Sequence, residues 1–193
     1  MKKLMSIISM LLLALTATTL VSCDDDSDIA TTLEGTWKGK MELRTEYQDQ
    51  YYQVISSEIC FLQDPYSYSS GTGYWIDYYQ RSPWRNNKVA NHIQWTVSNG
   101  VINVYFKEEG TSLEIRNYRL YRGLFEGTIY YDDQIVNFSL RQVSSPNWNS
   151  YTDWGYDYDD DYYYGGYAKK NVVGTRAQTD STEKPVRHFG KVE

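Results

Sequence analysis

The side chains best suited to acid–base chemistry are carboxylates on segments that alternate like strands. Many glycosidases use two carboxylates that face each other across the substrate, so such residues are the first to consider. Four of them lie in predicted strands: Glu58, Asp77, Glu114 and Glu126. We expect most of them to point outward into solvent, and Asp77 is the one whose side chain is a candidate for an inward position.

Other catalytic or metal-binding signals are weak. The 2 histidines, His92 and His188, fall on different segments, so a two-histidine metal site is not expected. Cys60 has no histidine near it in sequence and is interpreted as a small buried residue of a strand. No Gly-x-Ser-x-Gly, phosphate-binding loop or His-Glu-x-x-His motif is present. The sequence therefore predicts no enzyme, no metal site and no cofactor.

A different chemistry is indicated at Cys23, because a thiol is a good nucleophile towards a lipid donor. Residues 1–22 carry two N-terminal lysines, an apolar run over residues 4–15 and a small polar stretch, the pattern of a secretory signal. The apolar run is shorter than the ~20 residues that a membrane-spanning helix needs.

The stretch Leu20-Val21-Ser22-Cys23 resembles the bacterial lipobox. The resemblance implies cleavage before Cys23 and attachment of fatty acyl chains such as palmitate, which would anchor the mature protein in a membrane. The alternatives are an ordinary signal peptide with a chance cysteine, and a transmembrane anchor.

Residues 23–32 are rich in aspartate and predict an acidic tether, because like charges repel and extend a linker. An acidic cluster directly after a lipidated cysteine also resembles the export signal of some Gram-negative surface lipoproteins. This resemblance implies an outer-membrane, lipid-anchored protein on the cell surface. Residence on the periplasmic side is the alternative.

Charge and aromatic content narrow the class of protein further. Of 193 residues, 19 are Lys or Arg and 25 are Asp or Glu, which gives a net charge of −6. Nucleic-acid binding is not expected, because neutralising phosphates requires clustered basic residues. The 20 tyrosines and 6 tryptophans favour a β protein with aromatic surfaces.

Eight segments with short turns between them are predicted strands; apolar residues alternate along most of them, and segment 52–62 has a mixed, more buried pattern. In the first segment Trp37, Gly39 and Met41 share one face, the period of a half-buried strand. Asn99-Gly100 is a strong hairpin signal. Short connections make neighbouring strands antiparallel, and eight such strands can close into an up-and-down barrel. The predicted strands are 33–43, 52–62, 73–80, 92–97, 101–107, 113–121, 124–131 and 134–143.

Gly35-Thr36-Trp37 at the start of the first strand resembles the Gly-x-Trp motif of lipocalin-like (calycin) barrels, a family with many small bacterial lipoproteins. The resemblance covers 33–143 and implies that Gly35 and Trp37 plug one end of the barrel. It also implies that Arg141, on the last strand, covers this tryptophan, and that a small apolar or amphipathic ligand binds in the barrel.

Four aromatic residues could line such a ligand site: Trp75, Trp95, Phe106 and Phe138. If these large side chains all point inward, they would fill a small barrel completely. Two functions therefore stay open at this point, a carrier of a small ligand and a non-enzymatic surface interaction or adhesion module with a filled barrel.

Residues 144–193 read as a low-complexity tail dominated by Tyr, Asp and Gly. Such a composition predicts disorder. Alternating aromatic and acidic residues, among them Trp154, Tyr158 and Tyr162–Tyr164, could contact carbohydrate or protein. We expect removal of residue 147 onward to leave the stability of the barrel nearly unchanged.

Overall fold

The computed structural model describes residues 24–143, 154–156 and 184–190. Helix α1 (Asp24–Leu33) precedes the strands, and a 3₁₀ turn spans Arg85–Asn87. The strands are β1 (Gly35–Met41), β2 (Leu43–Tyr47), β3 (Gln50–Gln63), β4 (Ser70–Tyr79), β5 (Lys88–Ser98), β6 (Val101–Phe106), β7 (Thr111–Tyr121), β8 (Leu124–Tyr131), β9 (Gln134–Val143) and β10 (Val186–Phe189).

Strands β1 and β3–β9 form a closed eight-stranded barrel. From β3 to β9 each strand pairs antiparallel with the next in sequence, and β1 closes the ring by pairing with both β9 and β3. Closure leaves these strands without a free edge. The predicted all-β, up-and-down barrel is therefore confirmed, and its architecture is compatible with a lipocalin-like fold.

The hairpin turns follow from their sequences. Asn99 and Gly100 both have positive φ, 52° and 73°, as do Arg122 and Gly123 at the next turn on the same end. Two-residue turns of this kind match the right-handed twist of the flanking strands.

Strands β1 and β2 are two parts of one chain path that diverge at Glu42. Residues Thr36 to Met41 of β1 pair with β9. This pairing uses β9 only from Phe138 onward. The β2 part turns away and pairs with β10 instead. A seam therefore opens between β2 and the start of β9, and β10 lies beside it.

The acidic segment that the sequence suggested as an extended tether is a helix, so that expectation is corrected. Ala30 and Leu33 of α1 are buried against the barrel. The Asp26 carboxylate accepts hydrogen bonds from the backbone N–H groups of Asn99 (2.9 Å) and Gly100 (2.8 Å). Burial of the apolar face and these charged hydrogen bonds offset the repulsion between the aspartates.

The expected boundary at Val143 is also wrong in part. Trp154–Tyr156 contact the barrel, with the Gly155 N–H donating to the Ala90 carbonyl at 2.7 Å. Residues 184–190 include β10, whose Arg187 and Phe189 are buried. The rest of the predicted tail, with Tyr158 and Tyr162–Tyr164, lies outside the described residues, as do the predicted signal peptide 1–22 and Cys23.

Cys60 belongs to a small cluster on the outer face of β3–β5, with Tyr74, Ile76 and Ala90. All four side chains are buried, and Trp154 packs against them. Burial raises the pKa of the Cys60 thiol. The interpretation of Cys60 as a buried strand residue is therefore confirmed.

Candidate functional site

The two ends of the barrel differ in what closes them. One end, which we call the helix end, is covered by α1, and Trp37 lies beneath the helix. The Trp37 Nε1–H donates to the Leu33 carbonyl at 2.8 Å, and its ring meets Phe125 edge-on at 5.5 Å. Gly35 opens β1 with φ at +134°, a conformation that L side chains rarely adopt.

Arg141 does not have the role that the family resemblance implied. Its register partner on β1 is Lys38, not Trp37, and its side chain is exposed. Neighbouring positions along a strand point to opposite faces, so with Trp37 inward Arg141 faces outward. The expectation that Arg141 covers Trp37 is therefore wrong by one residue of register.

The four aromatic residues considered for ligand contact are themselves core residues. Trp75, Trp95 and Phe106 are at most 1% exposed, and Phe138 is 5% exposed. Their rings contact other rings of the interior: Trp75 and Phe106 at 5.2 Å, Phe61 and Trp95 at 5.6 Å, Phe125 and Phe138 at 4.8 Å. Edge-to-face contacts of this kind stabilise a packed aromatic core. These four side chains are therefore part of the packed interior.

The opposite end, which we call the mouth, is closed by aromatic rings of several segments. Trp84, from the loop between β4 and β5, is buried there. Its ring lies 5.2 Å from Tyr52, 4.8 Å from Tyr79 and 5.1 Å from Tyr156. Tyr156 therefore brings the segment after residue 143 into the closure of the mouth.

A buried ion-pair cluster lies beneath this layer. Arg187 of β10 enters the mouth, and its Nη1 lies 2.7 Å from Asp77 Oδ2. Its Nε and Nη2 donate to the two carboxylate oxygens of Glu109 at 3.1 and 2.7 Å. The side chains of Asp77 and Arg187 are at most 1% exposed and that of Glu109 is 9% exposed.

The barrel supplies further partners for both carboxylates. Asp77 Oδ1 accepts hydrogen bonds from Ser57 Oγ at 2.6 Å and Trp75 Nε1 at 2.9 Å. Asn91 Nδ2 donates to Glu109 at 2.9 Å. The guanidinium of Arg187 also lies over the ring of Phe106, 4.5 Å from its centre, a cation–π contact. The cluster is therefore built by β3, β4, β5 and the turn between β6 and β7, and it holds one guanidinium.

The charges in this cluster do not balance. With both carboxylates ionised, one guanidinium faces two negative charges in a buried site. Burial raises the pKa of Asp77, although Arg187, Ser57 and Trp75 act against that rise. Burial acts to lower the pKa of Arg187, but Asp77 and Glu109 together outweigh it and raise that pKa, so the guanidinium stays charged. The site is suited to hold a cation.

Phe189 occupies the same face of β10 as Arg187 because side chains alternate along a strand. Its ring lies 5.2 Å from Tyr131 and 6.5 Å from Trp75. His188, between them, faces the other way, with its Nε2 2.9 Å from Glu46 Oε2. The mouth thus receives an arginine and a phenylalanine two residues apart.

The other candidates for chemistry do not converge. His92 pairs with Glu108 and stacks on Trp154 at 3.6 Å, whereas His188 lies on β10. Within residues 24–143, 154–156 and 184–190, no group of three or more His, Cys, Asp or Glu side chains is placed to hold a metal ion. No helix in this part of the chain is long and apolar enough to cross a membrane.

Sequence reasoning identified one member of the cluster. The sequence indicates Asp77 as a candidate for an inward position, and its side chain is fully buried. Glu109 lies in a turn, where a charged residue suggests solvent exposure. Arg187 lies in a four-residue strand, too short to show alternation.

Searches against protein-family models, curated proteins and solved structures find no match to this chain. The class that the fold itself defines is a closed eight-stranded antiparallel β-barrel.

Proposed function

We propose that this protein is a lipid-anchored protein of the bacterial outer membrane, displayed on the cell surface, whose filled barrel acts as a non-enzymatic interaction module. One observation carries the functional part of the proposal: the interior is packed with the protein's own side chains. Trp75, Trp95 and Phe106, considered above as ligand-contacting residues, are buried in this interior. Arg187 and Phe189 fill the mouth above them.

Energetics favour the interaction module over the carrier. Removing a buried aromatic side chain from a core destabilises a protein by about 3–5 kcal/mol. A ligand in the barrel would have to displace several such contacts at once. It would also have to separate Arg187 from Asp77 and Glu109, leaving buried charges without partners.

The anchoring part of the proposal rests on the lipobox-like sequence, and the helix adds an orientation. Cys23 directly precedes α1, which covers the helix end. A lipid on Cys23 would therefore hold the helix end towards the bilayer and leave the mouth facing away. Three exposed tyrosines lie at the helix end: Tyr66 and Tyr68 in the loop before β4, and Tyr121 at the end of β7. Tyrosine is favoured at membrane–water interfaces.

The anchor is tested by replacing the two cysteines one at a time. Cys23→Ala should move the protein from the membrane fraction to the soluble fraction and abolish incorporation of labelled palmitate. Cys60→Ala is the matched control. Because Cys60 is buried in the barrel wall, this substitution should leave membrane association unchanged. Membrane retention of Cys23→Ala would contradict lipid anchoring.

The filled interior is tested by titration with a fluorescent apolar probe, N-phenyl-1-naphthylamine, in the Cys23→Ala background. We expect no saturable binding. Trp95→Ala in the same background should gain binding, since an engineered apolar cavity accepts small apolar ligands. Saturable binding by the chain with Trp95 intact, together with no gain in the variant, would support the carrier instead.

A further inference from the structure

Strand β10 is held in a groove whose lining comes from other parts of the chain. We use the term strand seat for the free edge of β2, the carboxylates of Asp77 and Glu109, and the rings that face β10. Those rings are Trp75, Phe106 and Tyr131. All of these residues belong to the eight-stranded barrel, to β2 or to the turn after β6. The strand seat and its occupant are thus separate parts of the chain.

The backbone contacts follow the rules of strand addition. β10 pairs antiparallel with β2, Val186 opposite Glu46 and Phe189 opposite Leu43. The ladder continues beyond β10, because the Gly190 N–H donates to the Glu42 carbonyl at 2.7 Å. A strand edge of this kind is a ready template for an extended peptide, and backbone hydrogen bonds supply affinity without regard to sequence.

The side-chain contacts give the strand seat its selectivity. The planar guanidinium of Arg187 engages both oxygens of Glu109, and its remaining nitrogen lies 2.7 Å from Asp77. A lysine ammonium cannot reproduce this two-pronged geometry. Two residues later Phe189 enters the space beside Tyr131. The strand seat therefore distinguishes Arg-x-Phe from other extended sequences.

Charge complementarity indicates that the strand seat needs a cationic occupant. Asp77 is fully buried and Glu109 nearly so. The Arg187 guanidinium is the cation beside both carboxylates, and an occupant without a cation would bury them unpaired, which is strongly unfavourable. The Gln134 side chain of β9 also contacts β10. Its Nε2 lies 3.2 Å from His188 Nδ1, and its Oε1 accepts a hydrogen bond from the Phe189 N–H.

We infer that the strand seat is a peptide-binding site for an extended segment containing Arg-x-Phe, and that Val186–Phe189 is an exchangeable occupant of it. This inference rests on the proposed interaction function and names the partner class of the module. The partner is a peptide segment with an arginine and a phenylalanine on one face. It adds to β2 as a strand and replaces β10 at the mouth.

Exchange is tested on the full chain, with a specific protease site placed between residues 157 and 183 in the Cys23→Ala background. After cleavage, a fluorescent peptide with the sequence of residues 184–190 should bind saturably by anisotropy. Native mass spectrometry should show it replacing the resident fragment. The uncleaved chain should bind the peptide at least tenfold more weakly, because its strand seat is occupied by a tethered copy.

Matched peptides test the selectivity. Peptides carrying Arg187→Lys or Phe189→Ala should bind the cleaved chain at least tenfold more weakly, whereas Val186→Thr, at an outward position, should bind normally. Equal binding of the Arg187→Lys and parent peptides would overturn the inference. So would a cleaved chain that keeps its fragment and takes up no peptide.

A second measurement covers the case in which the cleaved chain unfolds. In the intact double variant Arg187→Ala/Phe189→Ala, the parent peptide should raise the thermal midpoint, and the Arg187→Lys peptide should not. No rise with the parent peptide would overturn the inference. The apolar-probe titration separates this failure from failure of the proposed function, because it reports on the interior and not on the strand seat.

Discussion

Arg187 Nη1 lies 2.7 Å from Asp77 Oδ2 and joins β10, the last described strand, to the mouth end of β4. Both side chains are buried at the mouth. A low-complexity reading of residues 144–193 gives no reason to expect such a contact. The Arg187–Asp77 contact makes the stability of the barrel depend on an occupied mouth, and in this chain the occupant is a segment far along the sequence.

Loss of the guanidinium should destabilise the fold. Arg187→Ala leaves Asp77 and Glu109 buried without their cation, and breaking a buried ion pair by removing one partner costs about 3–5 kcal/mol. Urea unfolding followed by tryptophan fluorescence measures this change. The control is Arg119→Ala, whose exposed pair with Glu126 at 3.6 Å should contribute less than about 1 kcal/mol. Equal, small effects of the two variants would contradict the buried cluster.

Stability should depend on pH through Asp77. Burial raises the pKa of this carboxyl in the folded protein above its value of 3.8 in the unfolded chain. As pH rises, the carboxyl of Asp77 therefore loses its proton in the unfolded chain before it does so in the folded protein. The contribution of Asp77 to the free energy of unfolding is complete below the unfolded pKa and is lost as pH rises through the folded pKa. Arg187 and Glu109 face the same carboxyl, so the comparison must remove Asp77 alone.

The measurement for that prediction is the free energy of unfolding of the parent and of Asp77→Asn from about pH 4 upward. The parent should lose stability relative to the variant as pH increases and then level off. A parent that gains stability relative to Asp77→Asn over this range would show that the pKa is lowered, not raised.

Helix α1 should contribute to the stability of the barrel through one of its aspartates. Asp26→Ala removes two hydrogen bonds from backbone N–H groups of the Asn99–Gly100 turn and should destabilise the fold by about 1–3 kcal/mol. Asp28→Ala is the matched control, because Asp28 is exposed on the same helix. Thermal or urea unfolding of the two variants decides the point. If both behave like the parent, the segment acts as the extended tether first expected.

The thiol of Cys60 should be unreactive in the folded protein. Burial raises its pKa, which lowers the thiolate fraction at neutral pH and also blocks access. In the Cys23→Ala background, N-ethylmaleimide should label Cys60 only after unfolding. Adding Ser98→Cys, at the exposed end of β5, supplies a thiol that should react at once. Rapid labelling of Cys60 in the native state would contradict its burial beneath Trp154.

Alternation and turn chemistry were sufficient to predict the barrel. Trp37, Gly39 and Met41 alternate with charged residues, and Asn99-Gly100 identifies a hairpin, so strand number and order follow from local sequence. These signals act over a few residues and each has a simple steric cause. All eight predicted strands are present, although their ends shift by a few residues.

Long-range closure could not be predicted from the same signals. Asp77 could be selected as a candidate because its position has the same parity as Trp75 and Tyr79, but its partner Arg187 sits in a strand of four residues. The pairing of β10 with β2 depends on the divergence of β1 and β2 at Glu42, which has no local signature. Arg141 was misplaced for a related reason, because a one-residue change of register reverses the face of a strand.

Native mass spectrometry of the full chain with Cys23→Ala, purified without denaturation, tests the filled barrel most directly. We expect the mass of the polypeptide alone, because aromatic side chains and the Arg187–Phe189 segment occupy the interior and the mouth. A stoichiometric apolar molecule that remains through purification and leaves on denaturation would contradict this. The interior would then hold a ligand, and the protein would be a carrier.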